Sequence, residues 1–288
     1  MSVPAAFDYH PATTVDEAIA LLKQYGDEAK VLAGGHSLIP AMKLRLSQPG
    51  HLIDIGRVQG LSYIREEGNE VVIGAMTTYV TLARSDGLRQ RFAALAEAAA
   101  AVADQQVRNR GTIGGCIAHA DPAGDVPAVV LAFKATIVVQ GPTGKRNIKA
   151  DDFFVGTFET ALQPDEIVTE IRLAVPAART GSAYVKLANK ASHYAVAGCA
   201  AVVTLDTDGT CSSASVTITG AATKITRASA VEAALVGKKL DEATVEQAAS
   251  HAADGLELVS DIHGSKDYRA HMTTVIAKRA LLKAAQGA

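Results

Sequence analysis

Two glycine pairs carry the chemistry that this chain can be expected to perform. The first lies in Ala33-Gly34-Gly35-His36-Ser37 and the second in Thr112-Ile113-Gly114-Gly115. Without a Cβ, such a turn lets several backbone N–H groups converge on one point, where an anion can approach closely. Ser37 and Thr112 add hydroxyl donors. Two such turns in one chain are expected to hold a diphosphate from two sides, which points to a dinucleotide. The spacing differs from the G-x-G-x-x-G of a Rossmann fold, and no acidic residue follows on a second strand in the expected register.

The elements that must position these turns can be read from the pattern. Thr14-x-x-Glu17 is a capping box opening a helix that stops at Gly26. Residues 30–33 form a strand feeding the first turn, a helix is expected over 37–46, and a second strand covers 51–55. Strands are expected at 61–64 and 70–73 around a turn at Glu67-Gly68-Asn69, followed by helices over 78–84 and 88–102. The second turn comes next, then a helix opened by Asp125-Val126-Pro127, a hairpin around Gly141-Pro142-Thr143-Gly144, and a strand at 166–173. Small residues over 176–181 mark a domain break. Beyond it, strands at 183–187, 196–205 and 211–218 precede helices at 228–235, 244–253 and 268–285, an α+β order.

Composition narrows the function classes. The 288 residues suffice for two or three compact units, and a formal net charge of −2 leaves no basic footprint for nucleic acid. No stretch is long and apolar enough for a transmembrane segment. The first residues lack the charged-then-apolar order of a secretory signal, so a cytoplasmic protein is expected. The three cysteines, Cys116, Cys199 and Cys211, are widely spaced and too few for a four-thiolate cluster. The eight histidines show no metal-binding spacing, and no metal site is expected. His36 and His119 read as loop residues or as proton carriers. Asp125 is placed either to satisfy free N–H groups at a helix start or to accept hydrogen bonds from a ribose or adenine.

The wording of the two motifs is specific. Val31-Leu32-Ala33-Gly34-Gly35-His36-Ser37-Leu38, then Met42-Lys43-Leu44-Arg45-Leu46 and Leu52-Ile53-Asp54-Ile55, resembles the FAD-binding medium subunit of the carbon monoxide dehydrogenase and xanthine dehydrogenase family of molybdenum hydroxylases. Thr112-Ile113-Gly114-Gly115 through Ala118-His119-Ala120-Asp121-Pro122-Ala123-Gly124-Asp125-Val126-Pro127-Ala128 is similar to the family's second flavin segment. The resemblance spans nearly the whole chain and is nearest the carbon monoxide dehydrogenase type. It implies an α+β fold: a two-subdomain FAD-binding fold of the vanillyl-alcohol-oxidase and p-cresol-methylhydroxylase type (1–56 and 57–176), plus a C-terminal α+β domain (177–288). It implies FAD held by the Val31–Leu38 segment, by Thr112, Ile113, Gly114 and Gly115, and by Ala118, with Asp125 on the adenosine side. Lys186 is expected near the flavin, where its charge would stabilise the anionic reduced form, and Tyr194 beside the isoalloxazine ring. Their alternatives are a solvated strand lysine and a core tyrosine. Two departures touch the flavin surroundings: Cys116 stands where the family often has Asn or Asp, and Ser192-His193 replaces a Gly-Asp step.

The resemblance further implies a small subunit with two [2Fe–2S] clusters and a large molybdopterin subunit, assembled as a dimer of heterotrimers. The complex would be cytoplasmic or peripheral at the inner membrane. This chain would pass electrons from the clusters to an external acceptor, and no catalytic side chain is assigned. The alternatives are a self-sufficient flavin reductase of the same fold and a flavin-free scaffold. Valine at Gly34 or Gly114 is expected to block phosphate while leaving a folded protein.

Overall fold

A computed structural model describes residues 3–288. The N-terminal unit is a three-stranded parallel sheet. Strand β1 (Asp8–Pro11) leads through helix α1 (Val15–Tyr25) to β2 (Ala29–Leu32), and a short helix α2 (Leu38–Lys43) leads to β3 (His51–Asp54), which lies between the other two. The capping box forms in altered guise. The Glu17 amide donates to Thr14 Oγ1 at 3.1 Å, while the Glu17 carboxylate accepts from the amide and hydroxyl of Thr13, at 2.7 and 2.8 Å, rather than from Thr14. Helix α2 is shorter than the sequence suggests. Arg45 adopts φ 58°, the Arg45 amide donates to Met42 O and the Leu46 amide to Ala41 O, a Schellman end that closes the helix.

The second unit is a five-stranded antiparallel sheet ordered β4-β5-β10-β6-β7. It begins with the hairpin β4 (Ile64–Glu67) and β5 (Glu70–Gly74). The expected strand at 61–64 is displaced because Leu61 and Tyr63 carbonyls accept from Met76 and Gly74 instead. Six helices follow before the chain returns to the sheet: α3 (Tyr79–Arg84), α4 (Asp86–Arg91), α5 (Ala93–Ala101), α6 (Gln105–Arg110), α7 (Ile113–His119) and α8 (Asp125–Ala132). The expected helix over 88–102 is two helices, because fully buried Phe92 leaves helical geometry (φ −133°, ψ 51°). Strands β6 (Thr136–Gly141) and β7 (Gly144–Lys149) form the expected hairpin. A short helix α9 (Ala150–Phe153), a small hairpin β8 (Phe154–Gly156) with β9 (Glu159–Thr160), and β10 (Ile167–Ala174) complete the unit. Phe92, Leu95, Ile113, Ile117, Val129, Ile137 and Ile171 are buried in its core.

The C-terminal sheet runs β11 (Thr180–Ala188), β12 (Ala195–Leu205), β13 (Cys211–Thr219) and β14 (Thr226–Arg227), all antiparallel. Helices α10 (Ser229–Leu235), α11 (Glu242–Ala249) and α12 (Lys266–Gln286) follow. Ile276, Ala277, Ala280, Leu281 and Ala284 of α12 share a buried core with Ala183, Ala197, Cys199 and Val203 of the sheet. A strand's alternation gives β13 a second use. Ser215, Thr217 and Thr219 donate their hydroxyls to the carbonyls of Ala132, Ala128 and Pro122, at 2.6, 2.6 and 2.8 Å. These bonds fasten the C-terminal sheet to α8 and its leading loop, at about 1 kcal/mol net each. No helix among the described residues is long and apolar enough to cross a membrane.

Candidate functional site

A cleft of about 740 Å³ opens where the N-terminal sheet, the helical layer of the second unit and the C-terminal sheet's loops meet. That volume falls within the range of cofactor sites. Its floor starts at the carboxyl end of parallel strand β2, the usual place for a ligand in such sheets. Val31, Ala33, Gly34, Gly35, His36, Ser37 and Leu38 all line it. Among the described residues, the amides of Gly34, Gly35, His36, Ser37 and Leu38 donate to no carbonyl or side chain of the protein. Consecutive free N–H groups at a cleft wall are the donors from which anion-binding concavities are built. Gly35 permits the bend, at φ 79°. Because α2 has only six residues, the loop amides rather than a helix dipole supply the field.

The second glycine pair is built differently from the sequence expectation. It is the first turn of α7, not a free turn. Thr112 caps it by accepting from the Gly115 amide at 3.2 Å. The Ile113 and Gly114 amides donate to Thr77 O and Ala75 O, at 3.0 and 2.8 Å, and the Cys116 amide donates to Thr112 O. These N–H groups are engaged inside the protein. The motif contributes a wall: Thr112, Gly114, Gly115 and Ala118 line the cleft, and Ile113 is buried in the core.

The glycines also lock the two motifs together. A Cβ on Gly34 would lie 2.2 Å from Arg110 O and 2.9 Å from Gly111 Cα, so the first loop rests on the backbone leading into the second motif. A Cβ on Gly114 would lie 2.4 Å from Ala75 Cβ. Valine at either position therefore strikes the fold itself, which corrects the expectation that it would block phosphate alone.

Asp125, Lys186 and Tyr194 form one connected arrangement. Asp125 lines the cleft at the start of α8, but its carboxylate faces inward, accepting from the Tyr184 hydroxyl on Oδ1 and from Lys186 Nζ at 2.8 Å on Oδ2. Asp125 and Lys186 are each 7% exposed in their side chains. Burial pushes the Asp125 carboxyl up, while the Lys186 charge and the Tyr184 hydrogen bond pull it back. Lys186 is not a solvated strand lysine, and it does not line the cleft; nor does Leu32. Tyr194 lines the rim and is half-exposed rather than a core residue. Partial desolvation, then neighbouring Asp121, pushes its phenol up to about 12. Burial likewise pushes the Cys116 thiol up to about 12, and its Sγ donates to Ile113 O at 3.1 Å, both of which favour the thiol over the thiolate.

Several lining residues carried no local sequence signal. Phe158, in left-handed geometry at φ 56°, packs against His119 with the rings tilted 38° and their centroids 5.0 Å apart. Glu166 closes another edge. Arg146 Nε and Nη2 donate to its two carboxylate oxygens at 2.6 and 2.7 Å, Nη2 also reaches Ala161 O, and the Gln163 amide donates to Glu166 Oε2. The Arg146 hydrogen bond holds the Glu166 carboxyl below its usual range. A depressed folded-state value stabilises the protein above the ordinary glutamate range near pH ~4.3 and ceases to do so as pH falls through the depressed value. Urea melts of Glu166→Gln are therefore expected to show a deficit against the unsubstituted protein that is full at pH 7 and narrows only as pH falls below about 4.

The comparisons with known proteins bear on this architecture directly. Residues 5–177 match the family model described as the FAD binding domain in molybdopterin dehydrogenase, and residues 182–284 match the CO dehydrogenase flavoprotein C-terminal domain. The chain belongs to the flavoprotein-subunit family of molybdopterin dehydrogenases. It is 47% identical over 279 residues to the carbon monoxide dehydrogenase medium chain of Hydrogenophaga pseudoflava, covering 97% of each. It is 38% identical to the 6-hydroxypseudooxynicotine dehydrogenase complex subunit alpha of Paenarthrobacter nicotinovorans, covering 98% of this chain and 95% of the other. A solved carbon monoxide dehydrogenase from Hydrogenophaga pseudoflava superimposes with a TM-score of 0.95 at 48% identity, covering 99% of both chains. The expected α+β flavoprotein fold is the observed one. The flavoprotein carries an FAD-binding domain and is the flavin subunit of an oxidoreductase.

Proposed function

We propose that this flavoprotein passes electrons from [2Fe–2S] clusters on a small partner subunit to an external acceptor, within a molybdenum hydroxylase of the carbon monoxide dehydrogenase type. A large molybdopterin subunit would oxidise the substrate, and the whole would be a dimer of heterotrimers in the cytoplasm, touching the inner membrane only through partner chains. The family members named above carry different substrates in their names, so the substrate is assigned to the large subunit. The division into 1–56, 57–176 and 177–288 belongs to this reading. Two [2Fe–2S] clusters need about eight ligands, and three cysteines cannot supply them.

The observation that carries the reading is the run of free amides from Gly34 to Leu38 on the cleft wall. It fits the diphosphate of FAD, since five N–H donors left free on one cleft wall suit a dianion and no cationic side chain is required. Bound FAD supplies redox chemistry that can be filled one electron at a time and emptied in pairs. The protein's own part is to hold and orient. The Gly34–Leu38 amides grip the diphosphate, with the Ser37 hydroxyl beside them; Val31, Ala33, Thr112, Gly114, Gly115 and Ala118 shape the walls. Phe158 and Tyr194 cover the mouth and restrict water. Asp125 holds the wall in place through Tyr184 and Lys186.

Purification from the native host tests the reading. Molybdenum, iron and flavin are expected to co-elute with this chain, iron and flavin in a ratio of about 4:1. Elution of the chain alone, turning over NADPH with a small enoyl substrate, would favour a self-sufficient reductase instead.

A further inference from the structure

The turn from Asn189 to Tyr194 is closed almost entirely on itself. The Ala191 and Ser192 amides donate to Asn189 Oδ1, the His193 amide to Asn189 O, and the Asn189 amide to Tyr194 O. Among the described residues, two hydrogen bonds tie it to the body of the protein, and the Tyr194 phenol lies beside Asp121. One is exposed, between Asn189 Nδ2 and His263 Nδ1 at 2.9 Å. The other is at its root: Lys186, whose side chain is largely buried, donates Nζ to the carbonyl of exposed His193 at 2.6 Å while paired with Asp125 at 2.8 Å. His193 itself sits at φ 60°, left-handed geometry that is uncommon for a non-glycine residue. Ala191, Ser192, His193 and Tyr194 all line the cleft, whereas Lys186 does not.

We infer that Lys186 is a positioning residue, a strut running from buried Asp125 to the His193 carbonyl that fixes the 189–194 turn and sets Tyr194 over the cleft mouth. The inference rests on the reading of the cleft as the flavin site for its functional meaning, but the strut is a property of the chain alone. Two of the three ammonium protons are engaged, and both acceptors belong to the protein. A charge-assisted bond to a peptide carbonyl, from an ammonium already fixed by a buried carboxylate, is strong enough to hold the turn in place. Without it, the turn's internal bonds open more readily and the turn swings on its His263 anchor.

Hydrogen–deuterium exchange of the full chain without added flavin tests the strut. In Lys186→Met, the amides of residues 189–194 are expected to exchange roughly tenfold faster, with β12 and β13 unchanged. Lys186→Arg keeps a charged donor and is expected to restore much of the protection. Lys186→Met leaves Asp125 buried and unpaired, so the double variant Lys186→Met/Asp125→Asn provides a folded background that lacks the strut but carries no stranded charge. Because the protein has no tryptophan, Tyr194→Trp gives a single reporter, whose fluorescence anisotropy should fall when the strut is removed. Unchanged exchange and anisotropy at the turn would overturn the proposal, and so would a uniform rise across the C-terminal sheet. Loss of FAD affinity in Lys186→Met with the turn undisturbed would make Lys186 a direct flavin contact and would also overturn it. Absence of flavin from the unsubstituted protein would instead count against the cleft assignment and leave the exchange result standing.

Discussion

Gly34→Ala is expected to strip the flavoprotein of its FAD while leaving its two larger cores folded. The added methyl would sit 2.2 Å from the Arg110 carbonyl oxygen and 2.9 Å from both Arg110 C and Gly111 Cα, all backbone atoms that no rotamer change can move. Gly111 has no room to retreat, since a Cβ there would already lie 2.5 Å from the Tyr79 ring. The first loop must therefore lift away from the second motif. Overpacking of this kind costs about 1–3 kcal/mol of stability. Binding should suffer more. Hydrogen bonds to a charged group contribute about 1.5–3 kcal/mol each, so misaligning two of the five amides would weaken FAD by roughly a hundredfold to ten-thousandfold. Gly60→Ala is the control, because nothing lies within 4 Å of that Cβ position and only its φ of 78° is strained. Flavin per polypeptide in the purified assembly, read from visible absorbance, decides the matter. Full flavin occupancy in Gly34→Ala would show that the two motifs do not depend on their contact.

Asp125→Ala should cause the largest loss of stability. It leaves Lys186 and Tyr184 without their shared acceptor, and Lys186 is 7% exposed in its side chain. Removing one member of a buried ion pair costs about 3–5 kcal/mol, because the remaining charge is stranded in a poorly solvated place. For a chain of this size, that corresponds to melting roughly 6–15 °C lower. Replacing both partners should cost far less, so Lys186→Met/Asp125→Asn is expected to recover most of the difference. Thermal melts followed by circular dichroism compare the three proteins. A single Asp125→Ala variant that melts with the unsubstituted protein would mean that the pair contributes nothing to holding the cleft wall.

The parts of the fold written in local sequence were legible. A strand, two glycines and a hydroxyl residue predicted a loop at the carboxyl end of β2, and the loop is there with its amides free. The helix after it was overestimated because Arg45 takes a left-handed conformation that its residue type does not advertise. In the second motif, glycine's poor helix propensity disguised a helix start. Packing of Gly114 against Ala75 overrides that propensity, and only Thr112, a good N-cap residue, hinted at it. Strand β1 ends in Pro11 and pairs only with β3, so its short edge carried little pattern. Asp125 and Lys186 are 61 positions apart, and their pairing is created by the docking of the C-terminal sheet against α8. Composition and periodicity hold no trace of such a contact.

The central claim is that the free amides of Gly34 to Leu38 hold the diphosphate of FAD. A cryo-electron microscopy or crystal structure of the native assembly with flavin bound tests it most directly. The account predicts phosphate oxygens within hydrogen-bonding distance of several of these amides, with the Thr112–Ala118 segment forming the facing wall. A diphosphate seated elsewhere on the chain, with the Gly34–Leu38 amides facing only solvent, would contradict it.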